Sequence, residues 1–287
     1  MTAPHLDPAR KHDFVFLIEA RDSNPNGDPD SGGMPRIDPV SGQGLITDVA
    51  IKRKIRNMVA LFNEEQRRPG YDIYVEAGVA LNSKHERAYA ELGEKASEAE
   101  AREWMCRAFY DVRMFGAVMT TGQKGKQAGR VQGPMQLTFS RSIDPITPLE
   151  VGITRVTPTK EEDLKDKTTE MGSKHLVPYG LYRGEGHFSA PLAARTGVSS
   201  ADLEEFWRAF TLMFDHDRAS ARGEMNLRGL YVFTHDDQYG RAPARTLLDL
   251  VRVKGPGDAT ARSFEDYTVE VDESALPDGV TLTRLVG

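Results

Sequence analysis

The stretch that decides the fold is residues 13–62, which opens with DFVFLIEA (13–20) and ends with DVAIKRKIRNMVALF (48–62). The first run is short and almost continuously aromatic or aliphatic, which predicts a strand buried on both faces at the centre of a sheet. A polar loop (21–33) follows, in which proline, glycine and Asx residues end the strand. Regular structure resumes at Thr47, which is the predicted N-cap of a helix with Asp48 in its first turn.

This helix combines an apolar stripe with a basic flank. The stripe repeats at helical spacing and comprises Ile51, Ile55, Met58, Val59 and Phe62. Lys52, Arg53 and Arg56 project beside it, and Lys54 lies on the other side. A helix N-terminus attracts anions, and nearby cations strengthen the attraction. The pattern therefore predicts that a phosphate backbone binds across the end of the strand and the start of the helix. The alternative is an ordinary solvated basic face.

Two groups of polar residues suggest metal binding at first sight. Residues 22–27 (DSNPNG) match the first half of a calcium-binding loop, but its twelfth position is Gly33 instead of the bidentate glutamate. The triplets DHD (215–217) and HDD (235–237) lie at predicted element ends, where Asp and His commonly cap and turn. We therefore expect no metal site.

Taken together, the opening residues resemble the start of the backbone subunit of the type I-C CRISPR Cascade complex. The signature is IEARDSNPNGDP (18–29) followed by GLITDVAIKRKIR (44–56). The resemblance covers most of the chain and is weakest in the acidic C-terminal tail. It implies a guide-RNA-binding protein that polymerises along the RNA. It also implies an RRM-like (ferredoxin-like) palm with inserted finger and thumb segments.

Composition is that of an ordinary globular protein with an uneven charge distribution. The chain has 287 residues, a net charge of −6 and one cysteine, Cys106, which we expect to be a buried structural thiol. It has no signal peptide and no membrane-length apolar run, so we expect a cytoplasmic protein.

Residues 112–143 carry five basic and no acidic side chains, whereas residues 255–287 carry seven acidic and two basic ones. This asymmetry suggests separate faces for separate partners.

The centre of the chain contains a loop rich in glycine and lysine, Thr120–Gly129. Bare backbone amides in such loops can bind phosphate. The Walker pattern is absent, however, because Gly125-Lys126 is followed by Gln127, so we expect neither a nucleotide site nor any other cofactor. A loop that touches an RNA backbone and a mobile surface hairpin both remain open.

The remaining pattern predicts an α+β fold. We expect strands at Asp72–Val75, Asp111–Met119, Met135–Ile143 and Met225–Phe233, and helices that begin after Ser97 and Ser199. This order agrees with the ferredoxin-like βαββαβ plan. Leu149–Thr157 and His175–Tyr182 suit the arms of a hairpin, and the C-terminal region has strand-like pieces at Leu247–Val253 and Tyr267–Val271.

These elements divide one elaborated domain, 1–287, into parts. The palm comprises 13–62, 104–143 and 178–236, a finger-like insertion spans 63–103, a thumb-like insertion spans 144–177, and a C-terminal extension spans 237–287. The aromatic RNA-binding signature of ordinary RRM domains is absent. RNA contact is therefore expected from loops and insertions and not from the sheet face.

The favoured function is a non-catalytic subunit that binds CRISPR guide RNA and forms a head-to-tail helical filament in a DNA-targeting antiviral complex. Its partners would be guide RNA, further copies of itself, other Cascade subunits and target DNA hybridised to the guide, with no membrane contact. The RNA-binding candidates are Arg21, Asn24, Asn26, Lys52, Arg53, Arg56, Lys124, Lys126 and Arg130. One alternative is a metal-dependent ribonuclease that uses Asp22, Asp28 and Asp30 in the first loop. Another is a calcium-ordered scaffold or adhesion module.

Overall fold

A computed structural model describes residues 3–121, 125–160, 162, 169–257 and 259–287. Its α-helices are α1 (Asp48–Gln66), α2 (Leu81–Leu92), α3 (Glu98–Ala108), α4 (Tyr110–Phe115), α5 (Ala190–Thr196), α6 (Ser200–His216) and α7 (Ala244–Leu248). Its strands are β1 (His12–Ser23), β2 (Gly27–Asp28), β3 (Met34–Pro35), β4 (Gln43–Ile46), β5 (Gly116–Met119), β6 (Gly129–Gln132), β7 (Met135–Leu137), β8 (Ser140–Pro145), β9 (Leu149–Arg155), β10 (Glu170–Phe188), β11 (Glu224–His235), β12 (Val251–Lys254), β13 (Thr268–Val271) and β14 (Val280–Val286).

Eight of these strands form one antiparallel sheet around β1. The order is β14-β11-β1-β10-β8-β4, and β7 and β9 also pair with β10. In chain order, β1, α1, β8, β10, α6 and β11 follow the predicted strand, helix, strand, strand, helix, strand sequence. The mixed α+β class and the central position of the first strand are confirmed.

Strand β1 is buried on both faces, as its composition predicted. Phe14, Phe16 and Ile18 point into a core shared with α1 and α6. Val15 and Leu17 point to the opposite face, into a second core shared with Leu247, Leu248, Leu250, Val251 and Tyr267 of the C-terminal region. Residues that alternate along a strand face opposite sides of the sheet, so a continuous apolar run needs a cover on each side.

The glycines of β10 make room for the aromatic rings of β1. Phe14 lies directly across from Gly186, and Phe16 lies across from Gly184. A Cβ atom added at Gly186 would be 2.0 Å from Cζ of Phe14, and one at Gly184 would be 2.2 Å from Cζ of Phe16. The glycine-rich end of β10 is therefore a packing requirement of the first strand.

Helix boundaries follow the capping chemistry in the sequence. Thr47 caps α1, where its Oγ1 accepts a hydrogen bond from the backbone N–H of Ala50 at 3.3 Å. Ser97 with Glu100, and Ser199 with Asp202, form capping boxes at the starts of α3 and α6. All three predicted starts are confirmed.

Several local predictions are wrong. Asp111–Met119 is not one strand, because residues 110–115 form α4 and only Gly116–Met119 is β5. Asp72–Val75 forms no strand beyond a single bridge between Asp72 and Phe109. Residues 135–143 divide into β7 and β8, and the first part of the predicted strand 247–253 belongs to α7. Helix α2 and the sheet strand β14 were not predicted.

The hairpin prediction is confirmed in its first arm, but the return arm is Glu170–Leu176 and not His175–Tyr182, most of which pairs with β1. Strands β9 and β10 pair in register from Leu149 opposite Leu176 to Arg155 opposite Glu170. The same β10 strand continues for 19 residues into the main sheet. The hairpin is thus an outward continuation of a central strand. Its strand β9 is exposed along its whole length.

Among the residues that the structure describes, no helix is both long enough and apolar enough to span a membrane.

Gly186→Ala should destabilise the protein, because the new methyl group has no space beside Phe14. We expect the free energy of unfolding in urea to fall by about 1–3 kcal/mol, as for other overpacked cores. The matched control is Gly172→Ala on the same strand, whose Cβ would lie 3.6 Å from the Ile153 side chain. That variant should stay within about 0.5 kcal/mol of the parent protein. Equal unfolding midpoints for the two variants would contradict this account of the sheet.

Candidate nucleic-acid interface

The basic flank of α1 points largely into the protein. Lys52 is 8% exposed, and its Nζ donates to Asp48 and to Oε1 of Gln136, both at 3.0 Å. Nε of Arg56 donates to the fully buried Asp111 at 2.7 Å. Lys54 pairs with Asp217, and burial is the main cause that lowers the pKa of its ammonium group. These three cations hold elements together.

Arg53 differs from its neighbours on α1. Its guanidinium is half-buried and donates to the backbone carbonyl of Val75 at 2.6 Å. In the described part of the chain it has no carboxylate in salt-bridge contact. Burial lowers the pKa of Arg53, and the nearby charge of Arg56 lowers it further. Arg53 therefore carries a positive charge that internal contacts only partly compensate.

The asparagines of the first loop organise its backbone. Oδ1 of Asn26 accepts from both the backbone N–H and the hydroxyl of Thr47 at 3.0 Å, which ties the loop to the start of α1. Nδ2 of Asn24 donates to the carbonyl of Gly33 at 2.7 Å and closes the loop. Arg21 lies in β1, which runs three residues further than predicted; its side chain is more than half exposed, and its ion-pair partner among the described residues is Glu224 at 3.8 Å. Of these three residues, Arg21 offers the most accessible charge.

The loop aspartates make local contacts with the backbone and with a neighbouring arginine. Asp28 caps a short 3₁₀ turn by accepting from the backbone N–H of Asp30 at 3.2 Å, and it faces Arg36 at 3.4 Å. Asp22 has a positive φ of 44°, which places it at a tight bend. Across the described ranges, no three His, Cys, Asp or Glu side chains are grouped to hold an ion.

The histidine–aspartate triplets also have structural partners. Asp217 pairs with Lys54 and Arg222, and Asp236 pairs with Arg241. Nε2 of His235 donates to the buried Asp13 at 3.0 Å, because its Nδ1 already accepts from the backbone N–H of Arg241. The same Asp13 accepts from Lys11 and His187. Burial raises the pKa of Asp13, but these hydrogen bonds outweigh it and hold the pKa well below its usual range.

The β5–β6 hairpin carries two further predicted cations, Lys126 and Arg130. Arg130 is exposed, and none of the residues whose positions are described pairs with its side chain. Lys126 contacts Glu94 at 3.2 Å and remains partly exposed. Lys124 lies outside the described residues. Behind the hairpin, burial raises the pKa of the Cys106 thiol to about 11, which fits the predicted structural thiol.

The sheet face opposite α1 and α6 is largely covered. The C-terminal region covers it with Leu247, Leu248 and Tyr267, which pack on Val15 and Leu17 of β1. Tyr179 and Tyr231 of the neighbouring strands are buried in the same core. Among the described residues of this face, the tyrosines are therefore too buried for bases to stack on.

A feature that the sequence did not reveal is a cleft of about 800 Å³ between α1 and the insertion that carries α2 and α3. We call it the arginine cleft. Its cationic lining residues are Arg53, Arg56, Arg67, Arg68, Lys84, Arg87 and Arg107, and its carboxylates are Glu64, Asp72, Glu76 and Glu91. Helix α2 has no side-chain N-cap, so its start gave no sequence signal.

The predicted cations can be separated by their effect on stability. Arg56→Ala would leave Asp111 buried without its cation, so we expect the free energy of unfolding to fall by about 3 kcal/mol. Arg130→Ala removes an exposed side chain and should change it by less than about 0.5 kcal/mol. Urea denaturation of both variants measures the difference. A stable Arg56→Ala protein would show that this ion pair is dispensable.

Comparison with known proteins identifies the family of this chain. The family model described as "CRISPR-associated protein Cas7" matches residues 10–272. A CRISPR-associated protein Cas7 of Haloferax volcanii is 26% identical over 296 residues, which cover 92% of this chain and 81% of the relative. Among solved structures, a chain of a CRISPR RNA-guided surveillance complex, pre-nicking, aligns over 78% of both chains with a TM-score of 0.48 and 14% identity. A chain of another CRISPR RNA-guided surveillance complex aligns over 77% of this chain and 68% of its own length, with a TM-score of 0.40 and 16% identity. The match over residues 10–272 establishes that this chain belongs to the CRISPR-associated Cas7 family.

Proposed function

We propose that the chain is a non-catalytic backbone subunit that binds CRISPR guide RNA along its phosphates. The observation that carries the proposal is the family match over residues 10–272, nearly the whole chain. The resemblance of residues 18–29 and 44–56 to the type I-C backbone subunit supports the further proposal that the complex is of type I-C. Its other partners would be Cascade subunits and target DNA paired with the guide.

We further propose that the main sheet with α1 and α6 is an RRM-like palm. The four strands β1, β8, β10 and β11 lie in the order β11-β1-β10-β8, with the last strand beside the first. That order and the connecting helices support a ferredoxin-like assignment. Residues 63–103 and 144–177 would be the finger and thumb.

The nine predicted RNA-binding residues take two roles in this proposal. Arg21, Lys126 and Arg130, together with Lys124, contact phosphates directly, since the three that are described have exposed charge. Arg53 is half-buried and donates to the carbonyl of Val75, so it makes no direct phosphate contact in this proposal. Asn24, Asn26, Lys52 and Arg56 hold the loop and helix that carry the contacts, through the hydrogen bonds given above.

The covered sheet face supports this division. In an ordinary RRM the bases stack on exposed sheet aromatics. Here Tyr179 and Tyr231 are buried beneath the C-terminal region, so the RNA must be bound from the loops and insertions. Phosphate contacts fix position without reading sequence, which suits a subunit that accepts any guide.

Replacing exposed cations should flatten the salt dependence of RNA binding. Arg21→Gln, Lys126→Gln and Arg130→Gln should each reduce the slope of log K against log salt by about 0.7 for single-stranded RNA. Arg195→Gln, an exposed arginine at the end of α5, is the control and should leave the slope unchanged. Filter binding at several salt concentrations gives the slopes. Unchanged slopes in the triple variant would refute the proposed contacts.

The hairpin β9–β10 supports head-to-tail assembly. Leu149, Val151 and Ile153 share one face of β9, and each is more than 40% exposed. An apolar strip on a protruding hairpin marks a contact surface. In this proposal the hairpin contacts the next copy along the RNA, which makes the interface heterologous. A heterologous interface that does not close into a ring produces a helical filament.

Val151→Ser combined with Ile153→Ser should abolish cooperative RNA binding, because it removes the apolar contact between successive copies. Native mass spectrometry of the parent protein should show copy number rising in steps as the RNA is lengthened. The control variant, Glu150→Ser with Thr154→Ser, alters the opposite face of β9. Its copy number should still rise in steps as the RNA is lengthened. One copy per RNA at every length for the parent protein would rule the filament out.

A further inference from the structure

The arginine cleft departs from the charge balance of the whole protein. The chain carries a net charge of −6, yet seven cationic and four acidic side chains line this cleft. Its volume of about 800 Å³ lies in the upper part of the range for ligand pockets. One wall is α1, and the other is formed by α2 and α3 of the insertion.

Four of the cations already have carboxylate partners. Arg56 donates to Asp111, Arg68 to Glu205, Lys84 to Glu76 and Arg87 to Asp72. Their charge is largely neutralised, and they shape the cleft. They do not explain its excess of positive charge.

The other three cations lack such partners. Within the described residues, Arg53, Arg67 and Arg107 form no ion pair, and only Arg53 donates a side-chain hydrogen bond, to the carbonyl of Val75. They belong to three different places: the middle of α1, its C-cap and the last turn of α3. The fold therefore brings three uncompensated guanidinium groups to one cleft. Guanidinium is the group best suited to bind carboxylate or phosphate in a bidentate manner.

The cleft is poorly suited to a nucleic-acid strand. Glu64 and Glu91 line it without a cationic partner among the described residues, and a regularly charged phosphate backbone would be repelled there. Its aromatic rings are also covered: Trp104 is 7% exposed. Tyr71 stacks on Tyr110 at 5.7 Å and lies 3.9 Å from the guanidinium of Arg68. No free aromatic face remains for a base to stack on.

A polypeptide meets these constraints better. Its carboxylates stand at the ends of flexible side chains, so some can turn toward the arginines and others away from Glu64 and Glu91, whereas the phosphates of a nucleic acid are fixed in its backbone. Arginine is also enriched in protein–protein contacts. We propose that the arginine cleft is a docking site for an acidic segment of a partner protein, whose carboxylates pair with Arg53, Arg67 and Arg107.

The two tryptophans provide a direct test. Trp104 lines the cleft and donates its indole N–H to Glu91 at 3.0 Å, whereas Trp207 donates to the carbonyl of His5 and packs on Phe14. The ¹⁵N-labelled full chain gives one indole signal for each, and Trp207→Phe assigns them. The probes are blocked octaglutamate and octauridylate, which carry similar negative charge.

Octaglutamate should shift the Trp104 signal saturably and leave the Trp207 signal unchanged. Arg67→Gln and Arg107→Gln should each weaken this binding by at least about fivefold, as expected for anchoring arginines. Arg195→Gln controls for net charge and should have no such effect. Both cleft arginines are exposed and unpaired among the described residues, so their variants should fold.

Three results would overturn the proposal. Tighter binding of octauridylate than of octaglutamate at Trp104 would make the cleft a nucleic-acid site. A Trp104 signal that does not respond to octaglutamate, or a response that survives both arginine substitutions, would remove the acidic docking site altogether. Arg21→Gln and Arg130→Gln should not alter the Trp104 response, so failure of the RNA proposal and failure of this one are distinguishable.

Discussion

The position of the insertion relative to helix α1 depends on the hydrogen bonds of one buried carboxylate, that of Asp111. It accepts hydrogen bonds from the backbone N–H groups of Tyr74 and Val75 at 2.7 and 3.1 Å, and from Nε of Arg56 at 2.7 Å. One side chain on α4 thus joins the basic helix α1 to the start of the insertion. Because a fully buried carboxylate is costly without donors, all three partners are held in place. The position of Val75 then provides the carbonyl that orients Arg53.

The same logic explains which basic residues remain available to a polyanion. A cation next to a buried carboxylate is committed to the fold, as with Lys54 and Arg56. A cation on a hairpin or loop without such a partner has a charge that can still interact with a ligand, as with Arg130. The acidic C-terminal region packs Leu247 and Leu248 on the sheet face opposite α1 and α6 and so covers that face. An acidic protein can therefore bind RNA where its structure leaves positive charge uncompensated.

Local patterns predicted the elements whose cause is local. The buried run 13–20, the caps Thr47, Ser97 and Ser199, and the first arm of the hairpin at residues 149–155 were all predicted from composition and spacing. The RNA-facing roles of Lys52 and Arg56 could not be judged in this way. Their partners Gln136 and Asp111 lie 84 and 55 positions away in sequence, and only folding brings them together. Likewise, residues 111–119 form a short apolar run whose periodicity does not distinguish a strand from a buried helix.

The arginine cleft shows why charge patterning in sequence has limited reach. Arg67 and Arg107 are 40 positions apart and each appears among acidic neighbours, Glu64 and Glu65 in one case and Glu103 in the other. Nothing in either segment indicates a common site. They meet because the insertion folds back on α1, where the Cβ position at Gly70 would be 2.7 Å from the carbonyl of Arg107. A glycine with a φ of 83° allows that close approach, and a side chain there would push α3 away from α1. The cleft is thus set by backbone proximity at Gly70 as much as by the arginines that line it.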